Sequence, residues 1–395
     1  MTQSNTLPLA GIKVIEFTHM VMGPAVGAIL AELGATVIRV EPIGGDSTRT
    51  LLGSGAGYFP MYNRAKQSIC LNLKHARGLA LARRLAASSD VLIENFRSGT
   101  LDKLGLSYES LQRENPRLIY CSEKGFLGGP YENRVALDEV TQMMGGLAYM
   151  TGPPGRPLRA GASVIDVTGG MFGVIGILAA LQQRHQTGRG QRVSSALFET
   201  TVYLVGQHMA QQIVTGKAAQ PMPVRISAWA IYEIFETADM EQVFVGVVSD
   251  SLWQKFCEAF ELRELGADPN YKLNNQRVLA KDVLLPQVRA VFKRYTKADL
   301  IAKLERTGLP FAPIGKPEDL FDDPHLRASG GLGEVRLPDG KVSKLPILPI
   351  ELDGRRPTQG GHLAAIGEHT RAVLSDLGLS TEEIAQLQRE GVAAG

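Results

Sequence analysis

Short apolar runs alternate with stretches of helical spacing through the first half of the chain. IKVIEF (12–17), ATVIRVE (35–41), SICLNL (68–73), DVLIENF (90–96) and RLIYCSE (117–123) have strand length and are apolar nearly throughout. Runs of this kind belong to strands covered on both faces, as in parallel sheets. Between them, GPAVGAILAELG (23–34) and ARGLALARRLAASS (76–89) place apolar residues at helical intervals, with glycine or serine near their ends. The alternation predicts an α/β fold, a doubly wound parallel sheet with helices on its faces. Ligands of such sheets lie outside the carboxyl ends of the strands.

A longer helix is predicted over roughly 166–186, followed by HQTGRGQ and a strand-like run, RVSSALFE. Near residue 225 the pattern changes. AIYEIFETAD and QVFVGVV predict a strand, a turn and a second strand, while SLWQKFCEAF (251–260) and VLLPQVRAVFKRY (283–295) predict helices. The expected division is a large domain over 1–224, a smaller α+β domain over 225–325, and a C-terminal part over 326–395. In that last part PDGKVSKLP (338–346) predicts a hairpin, and HTRAVLSDLGLSTEEIAQLQREG (369–391) two helices, with an N-cap at Ser380 or Thr381.

Length supports two domains, because 395 residues exceed one ordinary core. The charge balance, 42 basic against 40 acidic residues, gives no reason to expect nucleic acid or a membrane surface as partner. Cys70, Cys121 and Cys257 are far apart and form no CxxC pair, so buried inert thiols are expected, not a metal site or disulfides. The N-terminus has no signal-peptide pattern, and no apolar run is expected to reach membrane-spanning length. The cytoplasm is therefore the expected location.

The segment ASVIDVTGGMFGVIGILAALQQRHQTGRGQRV carries the chemistry. An apolar lead-in ends at Asp166, and Gly169, Gly170, Gly173 and Gly176 follow within one helix. Each glycine weakens a helix by roughly 0.5–1 kcal/mol relative to alanine. Close approach of another backbone or of a ligand is the usual compensation. Asp166, taken alone, reads most simply as an N-cap that stabilises the helix by roughly 1 kcal/mol.

The same segment resembles the catalytic region of the class III CoA-transferases, the carnitine and bile-acid (CaiB/BaiF) group. LAGIKVIEFTHMVMGP, GATVIRVEPIGGDSTR, NRAKQSICLNLK, DVLIENFRSGTLDKLGL, NPRLIYCSEKGF, GPY with ALDEVTQMMGG, FETADMEQVFVGV and FAPIGKPEDLFDDPHLRASG match patterns of that family in order, over nearly the whole chain. The resemblance implies a Rossmann-like large domain built from both chain ends, a small domain, and two subunits interlocked as a homodimer. It implies no permanently bound cofactor, with coenzyme A as co-substrate, and acyl-CoA and carboxylic acids as substrates. It makes Asp166 the nucleophile, carrying the acyl group as a mixed anhydride and then CoA as an aspartyl thioester. Asp138 matches an acidic position near that nucleophile.

Binding residues are implied in the same way. His19, Met20, Val21 and Met22 match the loop after the first strand, where Val21 replaces a frequent glutamine. Asn95 and Phe96 match a CoA-contacting ENF motif. Leu71, Lys74, Lys103 and Leu104 match positions near the nucleotide end, where cations favour phosphate. Lys103 replaces a common arginine and loses its bidentate fork; Pro42 replaces a basic residue of some members. Taken singly, these residues have ordinary structural readings as core, surface lysines, turn formers or caps. Arg49, Arg64 and Arg225 are the candidates for binding substrate carboxylates, with succinyl-CoA as donor and a small dicarboxylate-like acid as acceptor.

Other chemistries fit less well. Racemases on this fold place a histidine where Leu137 stands, and leucine cannot exchange a proton with a substrate carbon. The loop after the first strand lacks GxGxxG, and no Walker A sequence occurs, which disfavours a nicotinamide dehydrogenase and an ATP-dependent ligase. A non-catalytic CoA-binding protein would keep the fold without needing Asp166.

Overall fold

The computed structural model describes residues 6–225 and 227–395. The chain forms two units: the stretch up to Pro221 together with Pro324–Gly395, and Met222–Asp323.

In the first unit six apolar runs become strands: β1 Lys13–Phe17, β2 Thr36–Glu41, β3 Gln67–Leu71, β4 Val91–Glu94, β5 Ile119–Lys124 and β6 Arg192–Ala196. All pair in parallel, in the order β3-β2-β1-β4-β5-β6, and Ala393–Ala394 adds an antiparallel strand beside β3. The end of the chain thus returns to the sheet. The helices of this part are α1 Met22–Glu32, α2 Tyr58–Tyr62, α3 Ala76–Ala87, α4 Thr100–Lys103, α5 Tyr108–Glu114, α6 Asp138–Met144, α7 Leu147–Thr151, α8 Val164–Thr187 and α9 Leu197–Thr215. One core cluster includes Ile15, Phe17, Ile69, Leu92 and Leu118; a second includes Val14, Val26, Ile93, Ile119, Val174 and Ile177. The strand order reverses between β1 and β4. That is the topological switch point of a doubly wound sheet, where adjoining loops leave a crevice.

Two expectations need correction. The run RVSSALFE is a strand only as far as Ala196; Leu197 begins α9. Strand and helix here share one apolar stretch with no breaking residue between them. Secondly, α8 has 24 residues and is apolar enough to match a membrane span by length and composition. It packs as a core helix all the same: Ile165, Val174, Ile177 and Leu181 are buried. Its buried Arg184 pairs with Asp90 at 2.9 Å and donates to the Arg117 carbonyl at 3.1 Å.

Near the C-terminus Leu332–Arg336 and Val342–Pro346 form the hairpin. Helices Thr370–Asp376 and Thr381–Arg389 follow, the second capped by Ser380 in a reciprocal box with Glu383. The other unit holds an antiparallel sheet of Tyr232–Glu236, Gln242–Gly246 and Phe311–Pro313 around a core that includes Trp253, Phe256, Phe260 and Phe292. All three cysteines are buried. Burial pushes the Cys70 thiol up to about 11 and the Cys257 thiol up to about 12, and raises Cys121 well above the ordinary range. Thiols so placed are poor nucleophiles.

Candidate active site

The loop after β1 sits at the switch point and is fastened on both sides. The His19 amide donates to Asn95 Oδ1 at 3.0 Å, and Asn95 Nδ2 donates back to the His19 carbonyl at 2.9 Å. Asn95 therefore clamps a peptide of the neighbouring loop. Met20 follows with φ +63°, a left-handed conformation uncommon outside glycine, and its amide donates to Thr48 Oγ1 at 3.4 Å. Such strain persists only where neighbours hold it. The His19 and Phe96 rings lie 5.5 Å apart, and the Phe96 amide donates to Glu94 Oε2 at 3.0 Å. Lys124 pairs with that same Glu94. Val21 and Met22 are buried, whereas His19 and Met20 are exposed.

Beneath the loop lies a buried ionic cluster that sequence reasoning missed. Lys66 Nζ donates to Glu16 Oε1 and to the Pro24 carbonyl in the first turn of α1, each at 2.8 Å. Arg39 donates to Glu16 at 3.0 Å and to Thr18 Oγ1 at 3.1 Å, and pairs with Asp46. Burial pulls Lys66 down to about 8, against the raising influence of Glu16. Charged residues at inward positions of IKVIEF and ATVIRVE were the available signal.

Asp166 is the third residue of α8, and Ser163 occupies the N-cap position, so the cap reading of Asp166 is corrected. The capping function belongs to Asp138. Its Oδ2 accepts from the Ile165 amide at 2.7 Å and from the Asp166 amide at 3.0 Å. These are two of the orphan donors of the α8 N-terminus. Burial first, then the charges of Asp138 and Glu139, push the Asp166 carboxyl up to about 7. Tyr62 on α2 is raised too, by burial and then by the Asp166 charge.

The glycines account for the nearness of the first turns of α8 to the end of the β1 loop. A Cβ on Gly170 would stand 2.8 Å from the Met22 carbonyl oxygen, and one on Gly169 would stand 2.6 Å from Met22 Cε. One turn further, a Cβ on Gly173 would strike the buried Glu123 carboxyl, and one on Gly176 would strike Val193. The compensation is close packing on three elements: the Met22 backbone of α1 at Gly170, and side chains of α1, β5 and β6 at Gly169, Gly173 and Gly176. Through it the end of the β1 loop and the first turns of α8 are packed together.

The remaining residues scatter by role. Leu71 is enclosed in the core beside Ala393, and Leu104 packs half-buried against the same cluster. Lys74 and Lys103 are exposed, the latter ending α4. Leu137, exposed, is the N-cap residue of α6. Two of the three arginines do not fit their substrate reading. Arg49 is engaged by Glu41 through bonds of 2.8 and 2.6 Å and lies 4.0 Å over the Phe59 ring. Arg64 is buried and donates to Glu32 at 3.0 and 2.6 Å. Their charges are already neutralised within the fold. Arg225 is half-buried and contacts the Met222 sulfur.

A doubly wound sheet with a braced switch-point loop and a helix-borne carboxylate packed beside it defines an α/β enzyme of the cofactor-binding kind. Residues 9–370 match CoA-transferase family III, and the chain belongs to that family. It is 34% identical over 392 residues to the succinate–glutarate CoA-transferase of Agrobacterium fabrum, covering 94% of this chain and 96% of the relative. It is 33% identical over 408 residues to the succinyl-CoA–L-malate CoA-transferase beta subunit of Chloroflexus aurantiacus, covering 98% and 99%. The crystal structure of a CaiB/BaiF family protein from Brucella suis matches with a TM-score of 0.80 at 34% identity, covering 94% of this chain and 100% of that one. The protein is an enzyme that transfers CoA, with CoA thioesters as co-substrates.

Proposed function

We propose that CoA passes from a succinyl-CoA donor to a small dicarboxylate-like acid through covalent intermediates on Asp166. The Asp166 carboxylate attacks the donor thioester carbonyl, expels CoA thiolate and becomes a mixed anhydride. The thiolate attacks the Asp166 carbonyl of that anhydride, releasing succinate and leaving an aspartyl-CoA thioester. The acceptor carboxylate attacks this thioester to give a second anhydride, and the thiolate takes the acceptor acyl group, restoring Asp166. Splitting one transfer into such steps is the advantage of a carboxylate nucleophile.

The observation that carries the reading is the environment of Asp166, pushed up to about 7 by burial and by Asp138 and Glu139. A carboxylate of raised basicity is a stronger nucleophile, and still ionised near neutrality. The donor and acceptor classes rest on the two dicarboxylate-acting relatives. Asp166→Asn should abolish transfer. Wild-type enzyme incubated with succinyl-CoA and then hydroxylamine should carry a hydroxamate on the Asp166 peptide, detected by mass spectrometry. Transfer by Asp166→Asn at the wild-type rate would overturn the mechanism, and turnover of other thioesters but not succinyl-CoA would overturn the donor.

The loops holding His19–Met22 and Asn95–Phe96 are the proposed CoA contacts, with Lys74 and Lys103 facing its phosphates. Arg225 is the arginine left for an acid substrate. We further propose an intertwined homodimer. Ile175 of α8 and Tyr203, Ile213 and Val214 of α9 are all more than half exposed, an apolar surface unusual for a monomer. An apolar cavity of about 370 Å³ adjoins it, lined by Met61, Tyr62, Val167, Met171 and Ile175. Sedimentation equilibrium should give twice the chain mass; a monomer would exclude the dimer.

A further inference from the structure

Asp138 has a buried neighbour whose polar atoms are both engaged. Gln142, fully buried one turn along α6, donates from Nε2 to Asp138 Oδ1. Its Oε1 accepts the Ala160 amide at 2.8 Å, in the segment that leads into α8. Gln142 therefore ties together α6, the approach to α8 and the carboxylate that caps α8.

We propose that Gln142 is a positioning residue for the Asp166 nucleophile, acting through Asp138. Three donors converge on Asp138: the Gln142 amide on Oδ1, and the Ile165 and Asp166 amides on Oδ2. An ionised carboxylate, acceptor only, satisfies all three; a protonated one would set its own O–H against a donor. Gln142 thus fixes the rotation of the Asp138 carboxylate, so that Oδ2 faces the α8 N-terminus. Two consequences follow. The helix start that carries Asp166 is held in place, and a negative charge is kept beside the Asp166 carboxyl. The other ionisable groups facing Asp166 are Glu139, which pairs with Arg159, and Tyr62 from α2. Neither touches the Asp138 clasp.

The kinetic half of this inference rests on Asp166 as acyl carrier; the thermodynamic half does not. The test uses Gln142→Met, of similar length without the amide, and Gln142→Glu, which keeps the shape and the Ala160 acceptor but turns a carboxyl toward Asp138. Each is made in the wild-type and Asp166→Asn backgrounds, and urea stability is measured across pH. The stability difference between backgrounds grows above the ordinary carboxyl value and levels off at the folded value of Asp166, about 7 in the parent. Gln142→Met should move that plateau onset down, because the released Asp138 carboxylate can turn its charge away from Asp166, and Gln142→Glu, which adds a carboxyl, should move it up. In turnover, Gln142→Met should lower kcat by about 10–100-fold, the scale of a small misplacement at a reacting centre. KM for the thioester should change by less than about twofold. An unmoved plateau onset in both variants overturns the proposal, and Gln142→Glu keeps it testable if Gln142→Met does not fold. Should Asp166→Asn retain transfer, the covalent mechanism falls while the plateau onsets still decide the role of Gln142.

Discussion

Replacing Asp166 by asparagine should make the protein more stable while removing its activity. The fold holds this carboxyl near 7 in place of its ordinary 3.8, through burial and two neighbouring carboxylates. Each tenfold change in proton affinity corresponds to about 1.4 kcal/mol, so the full displacement corresponds to about 4 kcal/mol. Solvent screening at a partly exposed site lowers the expectation to about 2–4 kcal/mol. The sign is fixed by linkage. Folded Asp166 holds its proton more tightly than the unfolded chain does, so this residue's contribution to stability is full below the unfolded value. It declines as pH rises and is lost once pH passes the folded value. Asparagine does not titrate. The gain from Asp166→Asn should therefore be near zero at acid pH below the ordinary carboxyl value, grow through the interval, and level off above about 7. Urea unfolding of both proteins at matched pH measures it, provided the m-values agree. A simple helix cap, whose donors hold its carboxyl low, predicts the opposite sign: no gain, and a loss of up to about 1 kcal/mol above neutrality that vanishes in acid. A loss of stability above neutrality, or an equal gain at acid and alkaline pH, would refute the reasoning.

Turnover should follow the same titration: kcat/KM for the free enzyme should rise with pH as Asp166 ionises around 7, and a flat profile there would contradict the nucleophile. Lys66→Met removes one of the two cations paired with the buried Glu16 carboxylate, leaving Arg39, and should cost about 1–3 kcal/mol in urea unfolding; no measurable cost would show that Lys66 holds little. Gly170→Ala gains up to about 1 kcal/mol of helix propensity but sets a methyl against the Met22 carbonyl, a backbone atom that cannot turn aside. A net loss of about 1–3 kcal/mol with reduced transfer is expected, and a stabilised variant would exclude the tight α1–α8 contact. Asn95→Ala releases both hydrogen bonds to His19 and should weaken CoA binding about tenfold in calorimetry; unchanged affinity would mean that the loop holds itself.

What the sequence disclosed follows from range. The buried strands were legible because runs such as ATVIRVE need only local composition. Their order was not, since pairing β1 with both β2 and β4 depends on crossovers that leave no mark in either strand. α9 was hidden for a local reason, the apolar continuity of strand and helix across Ala196. Charges were misjudged in one consistent way. Arg49 and Arg64 looked available for substrate because their partners, Glu41 and Glu32, become neighbours only in the folded sheet. The glycines after Asp166 announced a close contact without naming it, and its identity, the Met22 carbonyl, is what sets the end of the β1 loop against the first turns of α8.

The same limit explains the reversal at Asp166. An acidic residue at a helix start is locally indistinguishable from a cap, and nothing local ties a distant carboxylate to that role. The fold supplies one: Asp138, 28 residues earlier, takes the first-turn amides. A carboxylate that caps its own helix is committed to that helix and held toward low pKa by its donors. Because Asp138 receives the donors, Asp166 is left without that stabilisation and with a second negative charge beside it. Both effects raise its basicity, and both leave its oxygens free for an acyl group. The capping aspartate and the proposed nucleophile are thus one device divided between two residues, and moving the cap back to Asp166 would remove the raised basicity on which the proposed role depends.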